Sequence, residues 1–213
     1  MKVNSDKTTL LAISDANSYE ARTHIYDAEG KRIDSSGTLK ALGFIFNAKA
    51  DVHDQVATLC KRFRSRTWTL RDLRKAGLGT DDLLRVYKST IRPVIEYSSV
   101  IYHSMLTDDL TEYIEKQQTR ALKNIYGNEL SRRKLLEISG VPLLSDRRQE
   151  ACGRFAQKMA NNPRFSHHFK LRKSRARSGR AQEYVEHKAR TNRRKNSPIF
   201  FFRRILNGNI QYY

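Results

Sequence analysis

Residues 51–75 read DVHDQVATLCKRFRSRTWTLRDLRK, and this stretch decides the fold class. Apolar side chains recur in it three or four residues apart, which is the spacing of an α-helix with one buried face. These apolar positions are Val52, Val56, Leu59, Phe63, Leu70 and Leu73. The opposite face is basic and carries Lys61, Arg62, Arg64, Arg66, Arg71 and Arg74. We therefore predict a long helix that buries one side in a core and exposes cations on the other.

The residues before this helix have the pattern of short β-strands. Apolar runs cover residues 8–14 and 39–46, while residues 22–26 and 31–34 flank the turn sequence DAEG. Two extended runs separated by such a turn predict a β-hairpin. Gly43 lies inside the last run, where a glycine often marks a bulge or the close approach of another backbone. We therefore expect a small antiparallel sheet.

The residues after the helix repeat the signals of helix starts and ends. Thr80 and Thr107 are candidate N-caps, and each precedes two aspartates that suit the positive end of a helix. Gly127 and Gly140 suit helix ends. Pro93 should break or kink its helix because proline lacks a backbone donor. Further helices are expected over residues 94–105, 107–126, 131–139 and, with Ser145 as N-cap, 145–160.

The whole pattern predicts an α+β fold with three parts. A small antiparallel β-sheet over residues 1–50 precedes a helical bundle over residues 51–162 and a basic, partly disordered C-terminal tail over residues 163–213. Residues 151–213 hold 16 basic and 2 acidic side chains, or +14 of the formal charge of +19. The central cations of this tail are Arg172, Lys173, Arg175, Arg177 and Arg180. Like charges at this density repel one another, so we expect the tail to be mobile until an anion binds.

A charge of +19 on 213 residues favours a polyanionic partner, most simply nucleic acid. No apolar run approaches the ~20 residues that span a bilayer, and no secretory signal is visible, so we expect an intracellular protein without a membrane partner. Cys60 and Cys152 lie on apolar helix faces, where a thiol is more often a buried hydrophobe than a nucleophile. Trp68, Tyr87 and Tyr97 can stack on bases, although aromatic residues at such spacings more often belong to a core.

No set of residues predicts a catalytic or metal centre. The aspartate pairs after Thr80 and Thr107 have the residue type of a two-metal site, but their position at helix starts favours capping. Asp15 follows an apolar run and lacks a convincing acidic partner. The basic tail can be a solvated segment, a nuclear-localisation patch or an arm that follows phosphates.

Several segments stand in an order that resembles a known family. In chain order they are NSDKT (4–8), TTLLAIS (8–14), LGFIF (42–46), YKSTIRPVIEYSS (87–99), IEKQQTRAL (114–122) and GVPL (140–143). This succession is similar to the C-terminal region of reverse transcriptases of non-LTR retrotransposons, from the end of the palm to a thumb-like region. The likeness covers residues 3–160, and YKSTIRPVIEY is its most specific part.

The resemblance implies a thumb whose basic helices hold template–primer nucleic acid. Leu42, Gly43 and Phe44 would be primer-grip-like residues, and Lys7 matches a family position near the chemistry. The catalytic aspartates of the family have no counterpart in this chain, so no catalytic residue is expected. Mg²⁺ is expected only if the missing polymerase half is supplied by another partner. The expected function is that of a truncated reverse-transcriptase (RNA-directed DNA polymerase) fragment that is inactive alone.

Two other interpretations stay open at the level of sequence. The chain can be a non-enzymatic basic RNA- or DNA-binding protein, whose tail would then carry all of the binding. It can also be a decayed reading frame, whose apolar strands would have packed against palm strands that are missing from this chain.

Overall fold

A computed structural model describes residues 8–13, 24–172, 184–186 and 188–208. The fold is α+β, as predicted: within these residues, two small antiparallel sheets precede a series of helices. The chain divides into two compact units, Met1–Thr58 and Leu59–Tyr213.

The first sheet of the first unit is the predicted hairpin. Strand β1 (His24–Tyr26) pairs antiparallel with β2 (Arg32–Asp34), and Ile25 lies opposite Ile33. Asp27 closes the turn, because its Oδ1 accepts hydrogen bonds from the backbone N–H groups of residues 29 and 31 at 2.9 and 2.8 Å. The turn residues therefore fix this hairpin locally.

The second sheet corrects the prediction of a single strand over residues 39–46. Strands β3 (Thr38–Ala41) and β4 (Phe44–Asn47) form a hairpin that turns at Leu42 and Gly43. Both turn residues have positive φ angles, 48° and 79°, as tight two-residue hairpin turns require. Gly43 thus serves a turn rather than a bulge. The strand predicted over residues 8–14 is also wrong for its described part, where Leu10 makes only an isolated bridge to Ser35.

Helix α1 (His53–Lys75) begins beside the second hairpin. Asn47 donates to the carboxylates of Asp51 and Asp54 at 2.8 and 2.9 Å, and the Gln55 side chain accepts from the backbone of Ile45 at 3.0 Å. Burial opposes the charge of Asp51, but hydrogen bonds from Asn47 and His53 outweigh it and lower the pKa of Asp51. The start of the predicted long helix is therefore fixed by polar contacts.

The helices after α1 build the second unit. They are α2 (Thr80–Val86), α3 (Arg92–Glu96), α4 (Ser99–Tyr102), α5 (Asp108–Tyr126), α6 (Arg132–Ser139), α7 (Leu144–Ala160), α8 (Asn192–Lys195) and α9 (Pro198–Leu206). Helix α5 packs against α2, α6 and α7, and α7 packs against α4 and α9. The core therefore lies around α5 and α7.

The helix does not end at Pro93 but widens into a π-helical turn before it. A π-helical segment, Tyr87–Ile91, joins α2 to α3 just before the proline, where the backbone must accommodate a missing donor and a bulky ring. The chain then leaves the helix at Ser98, whose φ is 57°. The helical character predicted over residues 94–105 is confirmed, but a continuous helix is wrong: α3, α4 and the 3₁₀ turn His103–Met105 cover most of this range and are interrupted at Tyr97 and Ser98.

Three predicted helix boundaries, at Thr107, Gly127 and Gly140, are confirmed, and two predicted caps, Thr80 and Ser145, are wrong. Thr107 Oγ1 accepts from the backbone of Leu110 at 3.3 Å, and the helix stop at Gly127 has a φ of 108°. Thr80 is the first residue of α2, and Gly79 is the N-cap. No side chain caps that end of the helix. Ser145 lies inside α7, whose first backbone donors bond to the Glu115 carboxylate of α5. A cap supplied from another helix leaves no local sequence signal.

The apolar patch near the C-terminus forms a helix that joins the core. In α9, Phe201, Phe202 and Ile205 are buried against Cys152 and Ala156 of α7. Burial raises the pKa of Cys152 to about 12 and that of Cys60 to about 11. The prediction that both cysteines are buried hydrophobes is confirmed.

Candidate nucleic-acid interface

A groove runs between α1 and α5 in the second unit. Its first part has a volume of about 330 Å³, and a second cleft of about 420 Å³ continues it toward the ends of both helices. The two parts share Arg71, Lys123, Asn124 and Asn128 as lining residues, so they form one continuous feature. We call it the α1–α5 groove.

Helical spacing places side chains from both helices along this groove. On α1, Arg64, Trp68, Arg71 and Lys75 follow one another at intervals of three or four residues, beside the buried stripe. On α5, Gln117, Arg120 and Asn124 do the same, and Lys123 lies next to Asn124 on this edge. The edge of each amphipathic helix therefore forms one wall.

Asn124 links the two walls. Its side-chain Oδ1 accepts from Arg71 Nε at 3.1 Å, and its Nδ2 donates to the Thr67 carbonyl at 3.3 Å. Its backbone carbonyl accepts from Arg74 at 3.2 Å. These contacts hold two arginines of α1 at the groove, where their remaining N–H groups are available to a ligand.

The groove is strongly cationic. Its charged lining residues are Arg64, Arg71, Arg74, Lys75, Arg120 and Lys123. Within the part of the chain that the structure describes, no carboxylate lines either cleft. Cations that face a shared cleft without acidic partners create a positive potential that attracts polyanions.

Trp68 is the large aromatic residue of the groove, and it is 61% exposed. The guanidinium carbon of Arg71 lies 4.7 Å from the centroid of its ring, which is a cation–π geometry. The interpretation of Trp68 as a core residue is therefore wrong, whereas Tyr87 is fully buried and fits that interpretation. Tyr97 is 49% exposed and does not line the groove.

The cations of the predicted basic face of α1 do not all lie at the groove. Arg64, Arg71 and Arg74 line the groove. Arg66 donates instead to the Thr90 carbonyl in the π-helical segment at 3.1 Å, and Lys61 and Arg62 are exposed outside the groove. The face is split because the buried stripe lies between the α5 side and the Thr90 side of the helix.

Three cations of the groove were not among the predicted binding residues: Lys75, Arg120 and Lys123. The sequence contains a signal for Arg120, because Gln117, Arg120 and Asn124 share a helical edge beside the apolar positions of α5. Nothing in the sequence indicates that this edge faces α1.

The other predicted binding residues lie elsewhere. Leu42 and Gly43 form the turn of the second hairpin, where Leu42 is exposed and the neighbouring Phe44 is buried. Arg172 is exposed. Outside the described residues lie Lys7, Asp15, Lys173, Arg175, Arg177 and Arg180.

The acidic pairs occupy first helical turns, at the start of α2 and of α5. Among the residues with assigned positions, no group of three or more His, Cys, Asp or Glu side chains is arranged to hold a metal ion. In the same residues, no helix combines the length and the apolarity that a membrane span needs.

Comparisons with known proteins give no relative for this chain. No family model matches it, and neither a curated protein nor a solved structure shows significant similarity. The groove and the sequence motifs are therefore the features that bear on the function of this chain.

Proposed function

We propose that this chain binds the sugar–phosphate backbone of nucleic acid, without sequence preference, along the α1–α5 groove. In the reverse-transcriptase interpretation the ligand is the template–primer, which the basic helices of a thumb would hold. The observation that carries the proposal is the continuous line of cations on both walls, from Arg64 and Arg120 to Arg74 and Lys75.

The chemistry of these side chains supports a phosphate ligand. Arginine presents several N–H donors in a plane that matches two phosphate oxygens, and lysine adds a compact positive charge. Contacts to phosphate fix the position of a nucleic acid but do not read its bases. Each contact releases counterions, so affinity should fall steeply as salt increases.

A matched pair of double variants tests the groove. Arg64→Gln with Lys123→Gln removes two cations from the groove, whereas Lys61→Gln with Arg62→Gln removes the same two residue types from the exposed part of α1. Fluorescence anisotropy with a labelled RNA–DNA hybrid carrying a single-stranded overhang measures affinity across a salt series. The groove variant should lower the slope of log affinity against log salt by about 2, since each lost phosphate contact changes it by about 1.

The control variant should keep most of that slope. Equal loss in both variants would show that only net charge matters, and binding that is indifferent to salt would overturn the proposal.

A second candidate function follows from the charge of the last third of the chain. Residues 151–213 carry a net charge of +14, which suits a non-enzymatic RNA- or DNA-binding protein whose binding resides in the tail. This candidate predicts that the groove variants leave affinity unchanged.

A further inference from the structure

We propose that the α1–α5 groove takes an unpaired nucleotide, whose base stacks on Trp68 while its flanking phosphates contact the cations of the groove. This inference rests on the proposed function and deepens it, because it names single-stranded nucleic acid as the ligand of this groove. In a template–primer, the ligand would be the unpaired template strand.

The exposure of Trp68 is the first observation. An indole that is 61% exposed leaves a large apolar ring in contact with water, so a ligand that covers this ring gains free energy from its burial. Phe63 also lines this cleft but is fully buried, so Trp68 supplies the aromatic surface between the charged walls. Proteins that bind single strands combine these two features, since bases stack on aromatic rings while cations follow the backbone.

The fixed position of the indole is the second observation. Arg71 lies against the ring and is itself held by Asn124, which also bonds to the backbone of α1 at Thr67. These contacts orient Trp68 before a ligand arrives, so less conformational entropy is lost on binding. The guanidinium also places a positive charge next to the stacking surface, where the phosphates of a nucleotide can meet it.

The size of the site and the state of the bases select a single strand. A cleft of about 330 Å³ lies at the lower end of the range for sites that hold one small ligand. Bases inside a duplex are already stacked and paired, so their faces cannot reach the ring of Trp68. Only an unpaired base can offer its face without the cost of unstacking.

Two side-chain amides of the groove form hydrogen bonds within the protein, which limits their ability to recognise particular bases. Asn124 already uses its oxygen for Arg71 and its nitrogen for Thr67. Gln117 donates to the Tyr113 carbonyl and accepts from Arg120. Asn128, the third amide that lines the groove, is exposed, so two of the three amides are engaged within the protein and we expect stacking with little base preference.

Trp68 is the single tryptophan of the chain, so tryptophan emission, excited at wavelengths where the ten tyrosines do not absorb, reports on this site. The experiment titrates the full chain with an unlabelled single-stranded oligonucleotide and, separately, with a blunt RNA–DNA hybrid. We expect the single strand to quench and shift Trp68 emission, and the blunt hybrid to leave it nearly unchanged. In anisotropy measurements, Trp68→Ala should weaken single-strand binding about 5- to 150-fold, because stacking contributes about 1–3 kcal/mol per base.

Two further variants make the outcomes separable. Trp68→Phe should recover part of the affinity, and Tyr97→Ala, which removes an exposed aromatic outside the groove, should change it little. If Trp68→Ala binds single strands normally while Arg64→Gln with Lys123→Gln weakens them, stacking is wrong and the phosphate groove stands. If neither variant weakens binding, both proposals are overturned.

Discussion

Arg148 of α7 is fully buried, and its charge affects the residues around it. Its three side-chain nitrogens have no hydrogen-bond partner among the described residues, and its closest counter-charge is the Glu115 carboxylate, 3.7 Å from Nη2. A buried charge is costly unless it is paired, so this guanidinium makes the core sensitive to changes nearby. Burial lowers the pKa of His103 to about 4, and the charge of Arg148 acts in the same direction.

The low pKa of His103 predicts that stability falls in acid. Between the ordinary value of 6.5 and about 4, the unfolded chain binds a proton that the folded chain does not. Stability should therefore fall as pH decreases through this window, by about 3 kcal/mol from this residue. Urea unfolding at several pH values, comparing the parent with His103→Gln, measures the difference.

The comparison isolates His103 because both proteins share every other titrating group. Glu115 is an example. Burial raises its pKa, although the charge of Arg148 acts in the opposite direction. This raised pKa changes stability with pH in the sense opposite to that of His103, and it does so in both proteins. Parallel stability profiles in the two proteins would contradict a buried, neutral His103.

At the scale of elements, Glu115 joins α5 to α7. Its carboxylate is 3% exposed and accepts from the backbone N–H groups of Leu144 and Ser145 at 3.2 and 2.7 Å. It therefore caps α7 from outside that helix and also faces buried Arg148. A negative charge at this end is further stabilised by the helix dipole.

Replacement of Glu115 by glutamine should strongly destabilise the second unit. The amide keeps the shape but leaves Arg148 without its counter-charge, and removal of one partner of a buried pair costs about 3–5 kcal/mol. Urea unfolding followed by circular dichroism measures the loss. Glu112→Gln is the matched control on the same helix, because Glu112 is an exposed partner of Arg132.

The control variant should unfold almost like the parent. If Glu115→Gln also unfolds like the parent, the carboxylate does not compensate Arg148.

At the scale of the whole molecule, the last third of the chain contributes both basic side chains and buried residues of the core. Phe169 is 5% exposed in the cluster that joins α7 and α9, and Arg203 of α9 donates to the His168 carbonyl at 2.8 Å. Deletion of residues 168–195 would therefore damage the core as well as remove cations. Substitution of charges is the better test of the tail.

The tail variant replaces Lys173, Arg175, Arg177 and Arg180 by glutamine. With a single-stranded ligand, and if the groove binds as proposed, this variant should lower the salt slope by about 0.7 for each lost phosphate contact but keep the quenching of Trp68. Anisotropy and tryptophan fluorescence on the same samples measure the two effects. Loss of all binding together with the quenching would favour the tail-only interpretation.

Local patterns predicted those elements that depend on neighbouring residues. The DAEG hairpin, the long helix α1 and the cap at Thr107 follow from turn chemistry, helical spacing and a hydroxyl near a helix start. One error arose because a distant residue decided the outcome, and another because a leucine carries no sequence signal for a turn. Glu115 replaced Ser145 as the cap of α7, and the positive φ of Leu42 divided a predicted strand into two.

The candidate site shows the same division. The sequence indicated that α1 exposes arginines, and it gave the net charge that favours a polyanion. It did not indicate that α5 would lie beside Trp68, that Asn124 would hold Arg71, or that Arg66 would point away toward Thr90.

The sequence by itself determined the fold class, the amphipathic helices and the excess of positive charge, because these follow from composition and from spacing along one segment. Tertiary structure alone decided which cations share a groove and which aromatic ring remains exposed within it. The physical reason is that helical period fixes the face of each helix, whereas the partner of that face is set by the packing of the entire core.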